Sequence, residues 1–211
     1  MVTLNDVTLI CVDCVDLPRA ELAMQYSLKK IKPKEVKLLT SIRGGHAAGI
    51  NYVGIDCLRS RHEYSRFMVR RLKNYFKTAY VLVVQWDGFV LGQWNDIFYG
   101  YDYIGAPWPD GGKFGCVGNG GFSLRSKKFC EAAAVLIPPG KEHCEDIVCC
   151  RTYRERMEQN GVRYASEPIA KLFSKEGGMW KNEFGFHHFT LTNISAWTEH
   201  HEYLLKANIN K

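Results

Sequence analysis

No run in the 211-residue chain approaches the ~18 consecutive apolar residues that crossing a bilayer requires. The opening MVTLNDVTLICVDC has no basic segment followed by an apolar one, as a secretory leader would have. A cytoplasmic protein without a transmembrane segment is therefore expected. No block of five or six like charges occurs, which excludes a polyelectrolyte tail. Internal repeats and low-complexity segments are also missing. Of the eight cysteines only Cys11 and Cys14 form a C-x-x-C. No second pair completes a zinc site, and on a strand residues i and i+3 face opposite sides. All eight are expected to be free thiols that pack as small apolar residues. The glycine-dense stretch 110–121 is not followed by Gly-Lys-Ser/Thr, so it is not a phosphate loop. Strand and helix do not flank it as a dinucleotide fingerprint requires either.

What is present fits one large α/β domain. Apolar residues make up 46% and aromatics 13%, enough for a sizeable core. The net charge of +6 favours anionic ligands. Its densest patch is Arg59, Arg61, His62, Arg66, Arg70, Arg71, Lys73 and Lys77, on a helical pattern that a solvated face explains as well.

Residues 7–15 read as a buried strand, 19–31 as a helix ended by Pro33, and 35–40 as a second strand. That is a βαβ unit, which starts a parallel sheet. A short strand at 52–55 precedes a helix at 64–77. Residues 79–84, AYVLVV, form the most apolar strand and are expected at the sheet centre. A short helix at 94–99, strands at 101–106 and 122–125, and helices at 127–136 and 145–160 follow.

Four features can carry chemistry. Asp87 lies just past the end of the apolar strand, where open α/β sheets bind ligands. It holds a divalent cation there, or it opens an ordinary Asp-Gly turn. Gly118-Asn119-Gly120-Gly121-Phe122-Ser123-Leu124-Arg125 either lines an anion or sugar site with backbone N–H groups or is a surface loop. Glu145-Asp146 either caps a helix or supplies a base, whose pKa the helix dipole would lower. His187 and His188 offer imidazole to a transition metal, or simply fill space.

In this order the segments VVQWDGFVLGQWNDIFYGYDYIGAPWP, VGNGGFSLRSKKF, CEDIVCC and FGFHH resemble a family of domains of unknown function regarded as glycosyltransferase-like. The resemblance covers about residues 81–188 well and the N-terminal unit loosely. It implies a GT-A fold in a single domain, with a mixed, mainly parallel sheet flanked by helices. The donor nucleotide half would span about 1–110 and the acceptor half about 111–211. It also implies a nucleotide-diphosphate-sugar donor with Mn2+ or Mg2+. Asp87 matches the metal-binding acid, in a Gln85-Trp86-Asp87 segment where relatives have Asp-x-Asp. His187 completes the metal shell, with His188 as the fallback. Asn119, Gly120, Gly121 and Arg125 match an acceptor-side loop of inverting enzymes. Asp146 matches the base and Glu145 a group holding acceptor hydroxyls, or the reverse. Asp13 would meet the nucleotide base. Arg43 and Lys181, chosen for charge and loop position, would reach the diphosphate, and Trp108 between two prolines would wall a sugar face.

The resulting expectation is an inverting, metal-assisted glycosyltransferase. Its acceptor would be a glycan, a lipid-linked glycan or DNA with hydroxymethylated pyrimidines. The alternative is an inactive GT-A fold that binds nucleotide or nucleic acid.

Overall fold

The computed structural model describes residues 1–108, 117–177 and 180–188. Pro109 and residues 110–116 of the glycine-dense stretch, Cys116 included, lie outside them.

A six-stranded sheet in the order β3-β2-β1-β4-β6-β5 organises the chain. Its strands are β1 (Val2–Val12), β2 (Ile31–Thr40), β3 (Asn51–Gly54), β4 (Tyr80–Val84), β5 (Tyr103–Gly105) and β6 (Ser123–Ser126). The first four are mutually parallel, whereas β6 runs antiparallel to both β4 and β5. The sheet is thus mixed and mainly parallel, as expected. β1 lies between β2 and β4, so the strand order reverses at the β1–β4 pair.

Strand periodicity sorts the core into two layers. Leu9, Cys11, Leu82 and Val84 point to one face, under α1 (Leu17–Leu28) and a cluster of Phe98, Phe122, Phe173 and Phe184. Ile10, Val12, Val81 and Val83 point to the other, under α2 (Arg61–Arg70) and α3 (Lys127–Leu136). Asp16 caps α1 by accepting from the Arg19 N–H, and Ser60 caps α2 by accepting from that of Glu63. Among the described residues, no helix is long and apolar enough to cross a membrane, and seven cysteines are free.

Two expectations need correction. Pro33 does not end α1; it lies within β2, opposite Leu4 and beside a register shift. β3 pairs only with residues 37–40, so this half of β2 is an edge, where a missing N–H leaves no ladder bond unmade. The helix expected at 145–160 is three pieces: α4 (Glu145–Ile147), a π-helical turn (Val148–Thr152) and α5 (Arg154–Gln159). The π turn buries Val148, Cys149 and Cys150 together, and Tyr164 donates its hydroxyl to the Cys149 carbonyl. Such turns often sit beside functional sites. The chain closes with α6 (Glu167–Phe173) and a two-stranded parallel pair, β7 (Ser174–Glu176) and β8 (Gly185–His187).

Candidate active site

At the β1–β4 reversal the carboxyl ends of both strands carry an acid, Asp13 and Asp87. The order reversal opens the crevice where such sheets bind ligands. Asp87 is 9% exposed, and its Oδ1 is buried with no hydrogen-bond partner. β8 brings His187 onto it from 100 residues downstream: Nε2 lies 3.4 Å from Asp87 Oδ1 and 3.0 Å from Gln85 Oε1. The other nitrogen, Nδ1, lies 3.0 Å from Glu176 Oε2. Asn119 donates its amide to that same Glu176 oxygen at 2.5 Å, and its Oδ1 accepts from the Gly121 N–H. Gln85 donates to the Tyr64 hydroxyl at 2.8 Å.

The electrostatics follow from this packing. Burial pushes the Asp87 carboxyl up, but the His187 imidazole more than offsets this and holds it below the usual carboxylate range. Burial pushes His187 down, but Asp87 and Glu176 on its two sides drive it up to about 10. The imidazolium therefore carries the positive charge between two carboxylates. His188 donates its N–H to the Asp87 carbonyl and holds φ 59, a left-handed conformation that costs a non-glycine residue energy. Its side chain is exposed.

The glycine loop is not a loose surface turn, because its bareness is a matter of clearance. A Cβ on Gly121 would come within 2.0 Å of His187 Nε2, and one on Gly120 within 2.3 Å of Glu145 Oε1. Asp146 accepts from the Gly120 N–H at 3.3 Å, which sets it on the same loop.

Glu145 and Asp146 differ sharply. Glu145 is 6% exposed and accepts from Arg125 Nη2 at 3.0 Å. Burial raises its pKa, partly countered by Arg125 and reinforced by Asp146. This corrects the expected lowering by a helix dipole, since α4 is one short turn and desolvation outweighs its field. Asp146 is half-buried and, among the described residues, bonds to the backbone N–H groups of Gly120 and Ile147.

The remaining expected residues divide. Arg125 is 2% exposed and lies under the loop instead of facing an acceptor, donating to the Gly120 carbonyl and Glu145. Asn119, 4% exposed, is likewise held within the cluster. Asp13 accepts from the Val15 and Asp16 N–H groups, and burial raises its pKa, with Asp16 and Asp87 adding to the effect. Trp86 turns towards α1, under the Arg19 guanidinium at 4.9 Å. Trp108 lies half-buried with the Arg151 guanidinium 4.3 Å above its ring. Arg43 is exposed and lines a separate 440 Å³ hollow at the ends of β2 and β3. Lys181 is exposed on a turn whose neighbours pack on Gly92, with no described contact to the cluster. Sequence reasoning missed Glu176 and Tyr64. Glu176 sits on a three-residue strand with no motif around it, whereas Tyr64 follows from its helix position only once the fold is known.

Residues 48–187 match a family model described as "Protein of unknown function (DUF5672)". The chain belongs to this family. No curated protein matches the DUF5672 chain by sequence. Among solved structures it is similar to the galactosyltransferase LgtC in complex with donor and acceptor sugar analogs. There the TM-score is 0.53 and the identity 12%, over 95% of this chain and 94% of that one. It is also similar to the apo-form glycosyltransferase GlyE of Streptococcus pneumoniae TIGR4, with TM-score 0.50 and 11% identity over 89% and 55%. A third likeness is to the mannosyltransferase PcManGT from Pyrobaculum calidifontis in complex with GDP-Man and Mn2+, with TM-score 0.49 and 10% identity over 79% and 56%. The chain thus spans about half the length of the last two. The likeness is one of fold: this DUF5672 chain has the GT-A glycosyltransferase fold.

Among the described residues no group of three His, Cys, Asp or Glu stands ready for a metal, because Glu176 faces the far side of the imidazole. A donor set nevertheless exists on the near side. It comprises Asp87 Oδ1, Gln85 Oε1 and, once a bound cation displaces the imidazolium proton, His187 Nε2. Magnesium is commonly held by one or two protein carboxylates together with substrate phosphates, so two or three protein donors fit a cation shared with a diphosphate.

Proposed function

We propose that this chain is a glycosyltransferase that moves a sugar from a nucleotide-diphosphate-sugar to an acceptor hydroxyl. The observation that carries the reading is the buried Asp87 oxygen, without a hydrogen-bond partner and 3.4 Å from the His187 imidazole, at the strand-order reversal of a GT-A fold. Asp87 and His187, with Gln85, would hold Mn2+ or Mg2+, which when bound offsets the charge developing on the leaving diphosphate. Asp13 reaches the nucleotide from the end of β1, in a donor half of about 1–110, and the loop at Gly120 belongs to the acceptor half.

Asp146 is the base. The acceptor oxygen attacks the anomeric carbon while its proton passes to Asp146, and the bond from that carbon to the diphosphate oxygen breaks. Glu145, in its ion pair with Arg125, fixes the loop and holds Asp146 in place. This chemistry inverts the anomeric centre. A glycan or lipid-linked glycan is preferred over modified DNA as acceptor. Arg70 and Arg71 of the basic stretch are already paired, with Glu142 and Asp56, so the stretch makes no continuous cationic track.

A second reading, an inactive fold that binds nucleotide, has one observation in its favour. Gln85 stands where a second acid is usual, and both ends of its amide are engaged, by Tyr64 and His187. Thermal melting with nucleotide diphosphates and their sugars, with and without Mn2+, tests the donor site, because a ligand of the folded state raises the melting temperature. A Mn2+-dependent rise with one nucleotide-sugar is expected. A rise followed by no release of nucleotide in the presence of acceptors would favour the inactive fold, and no rise with any donor would overturn both.

A further inference from the structure

Beside the centre lies a groove of 1140 Å³ that the chemistry above does not use. α2 forms one wall, with His62, Arg66 and Arg70 at i, i+4 and i+8 and Phe67 between them. The same helix sends Tyr64 to Gln85, so the groove and the centre share a wall. Their other connection is His143, whose ring lies 5.7 Å from that of His62 and which precedes Glu145 by two residues.

The lining is specific in its chemistry. Arg70 is fixed by Glu142 Oε1 at 2.8 Å and by the Ala134 and Ile137 carbonyls. Arg71 faces Asp56 at 3.6 Å, so these cations are matched by acids. Arg66 is exposed and has no ion pair among the described residues. Glu142 is 1% exposed, and its second oxygen, Oε2, has no partner. Leu58 and Tyr75 add apolar surface. A polyanion would meet Asp56, Glu63 and Glu142, whereas a wholly apolar ligand would leave Glu142 Oε2 and Arg66 unsatisfied. A ligand with hydroxyl donors, oxygen acceptors and C–H faces meets all three demands. The volume exceeds the ~300–1,000 Å³ usual for small ligands, which favours several rings over one.

We propose that this groove binds an oligosaccharide, the extended part of the acceptor. The proposal rests on the transferase reading for what the ligand does, though not for what it is. The full chain is applied to an array of immobilised neutral and acidic oligosaccharides carrying a 20-nucleotide single-stranded DNA as control. Retention of one or more oligosaccharides is expected, at least tenfold weaker in Arg66→Ala and in Glu142→Gln. Arg66 is exposed, so Arg66→Ala is expected to melt as the parent does and to keep its response to nucleotide-sugars. Retention of no oligosaccharide, equal retention by parent and Arg66→Ala, or preferential retention of the DNA would each overturn the groove assignment. Oligosaccharide binding through Arg66 without response to any nucleotide-sugar would keep the groove and overturn the transferase reading.

Discussion

In the centre, contacts of 2.5–3.4 Å join Gln85, Asp87 and Glu176 to His187, and Asn119 to Glu176. In the groove, walled by the same α2 that sends Tyr64 to the centre, Arg66 has no ion pair among the described residues and Glu142 Oε2 has no hydrogen-bond partner, beside a space of 1140 Å³. One region is closed and set before ligand arrives; the other is open, though Arg70 in its wall is held by Glu142 and two carbonyls. Pre-organised charge suits a step whose transition state differs from its substrate by a shift of electrons. An open amphipathic trough suits recognition of a long, flexible molecule, where many modest contacts add up.

This contrast can be broken in graded steps. Asp146→Asn removes the proton acceptor and is expected to lower transfer by about 10²–10⁴-fold. Donor binding, read by the Mn2+-dependent melting shift, should stay intact; near-normal transfer would take Asp146 out of the reaction. Glu176→Gln leaves His187 in place but loosens its orientation. Partners behind metal-binding histidines are commonly worth about 10–100-fold in metal affinity. Mn2+ titration followed by the melting shift should show a loss of that size, and unchanged affinity would limit Glu176 to folding. Gly121→Ala drives a methyl group into His187, and overpacking of this kind costs about 1–3 kcal/mol. Denaturant unfolding reads that cost, and an unperturbed midpoint would mean the loop yields more easily than its packing suggests.

The smallest effect lies away from both regions and serves as their control. Asp102 accepts from Ser126, the Arg163 N–H and Lys128, which together outweigh the effect of burial and hold its pKa below the ordinary value. Its stabilising contribution is therefore full above the unfolded pKa of about 3.9 and fades as pH falls through the lower folded value. Asp102→Asn should melt below the parent at pH 7, with the gap closing towards pH 3. A gap that stays constant with pH would mean that charge plays no part.

Much of the fold was legible because strand periodicity and length are local properties. The run 79–84 announced a central strand, and its end announced Asp87. The continuity of the helix after Glu145 was misjudged because its break depends on Tyr164 taking a carbonyl from a distant turn. Arg125 was expected to face an acceptor, whereas it is buried in an ion pair with Glu145, a residue 20 positions further along. The glycines at 120 and 121 read as a ligand-lining backbone or a surface loop, because the atoms they make room for lie 25 and 66 residues further along. Arg43 and Lys181 rested on charge and loop position, which say nothing about direction in space.

The sheet is complete once residue 126 is in place, yet the imidazole that turns a strand end into a centre arrives with residues 185–187. During synthesis, then, every strand of the main sheet emerges some 60 residues ahead of the imidazole, while Phe173 and Phe184, which fill one face of its core, arrive only shortly before it. Closing the core and completing the centre thus draw on the same last stretch of chain, so a chain cut before residue 184 would lack both.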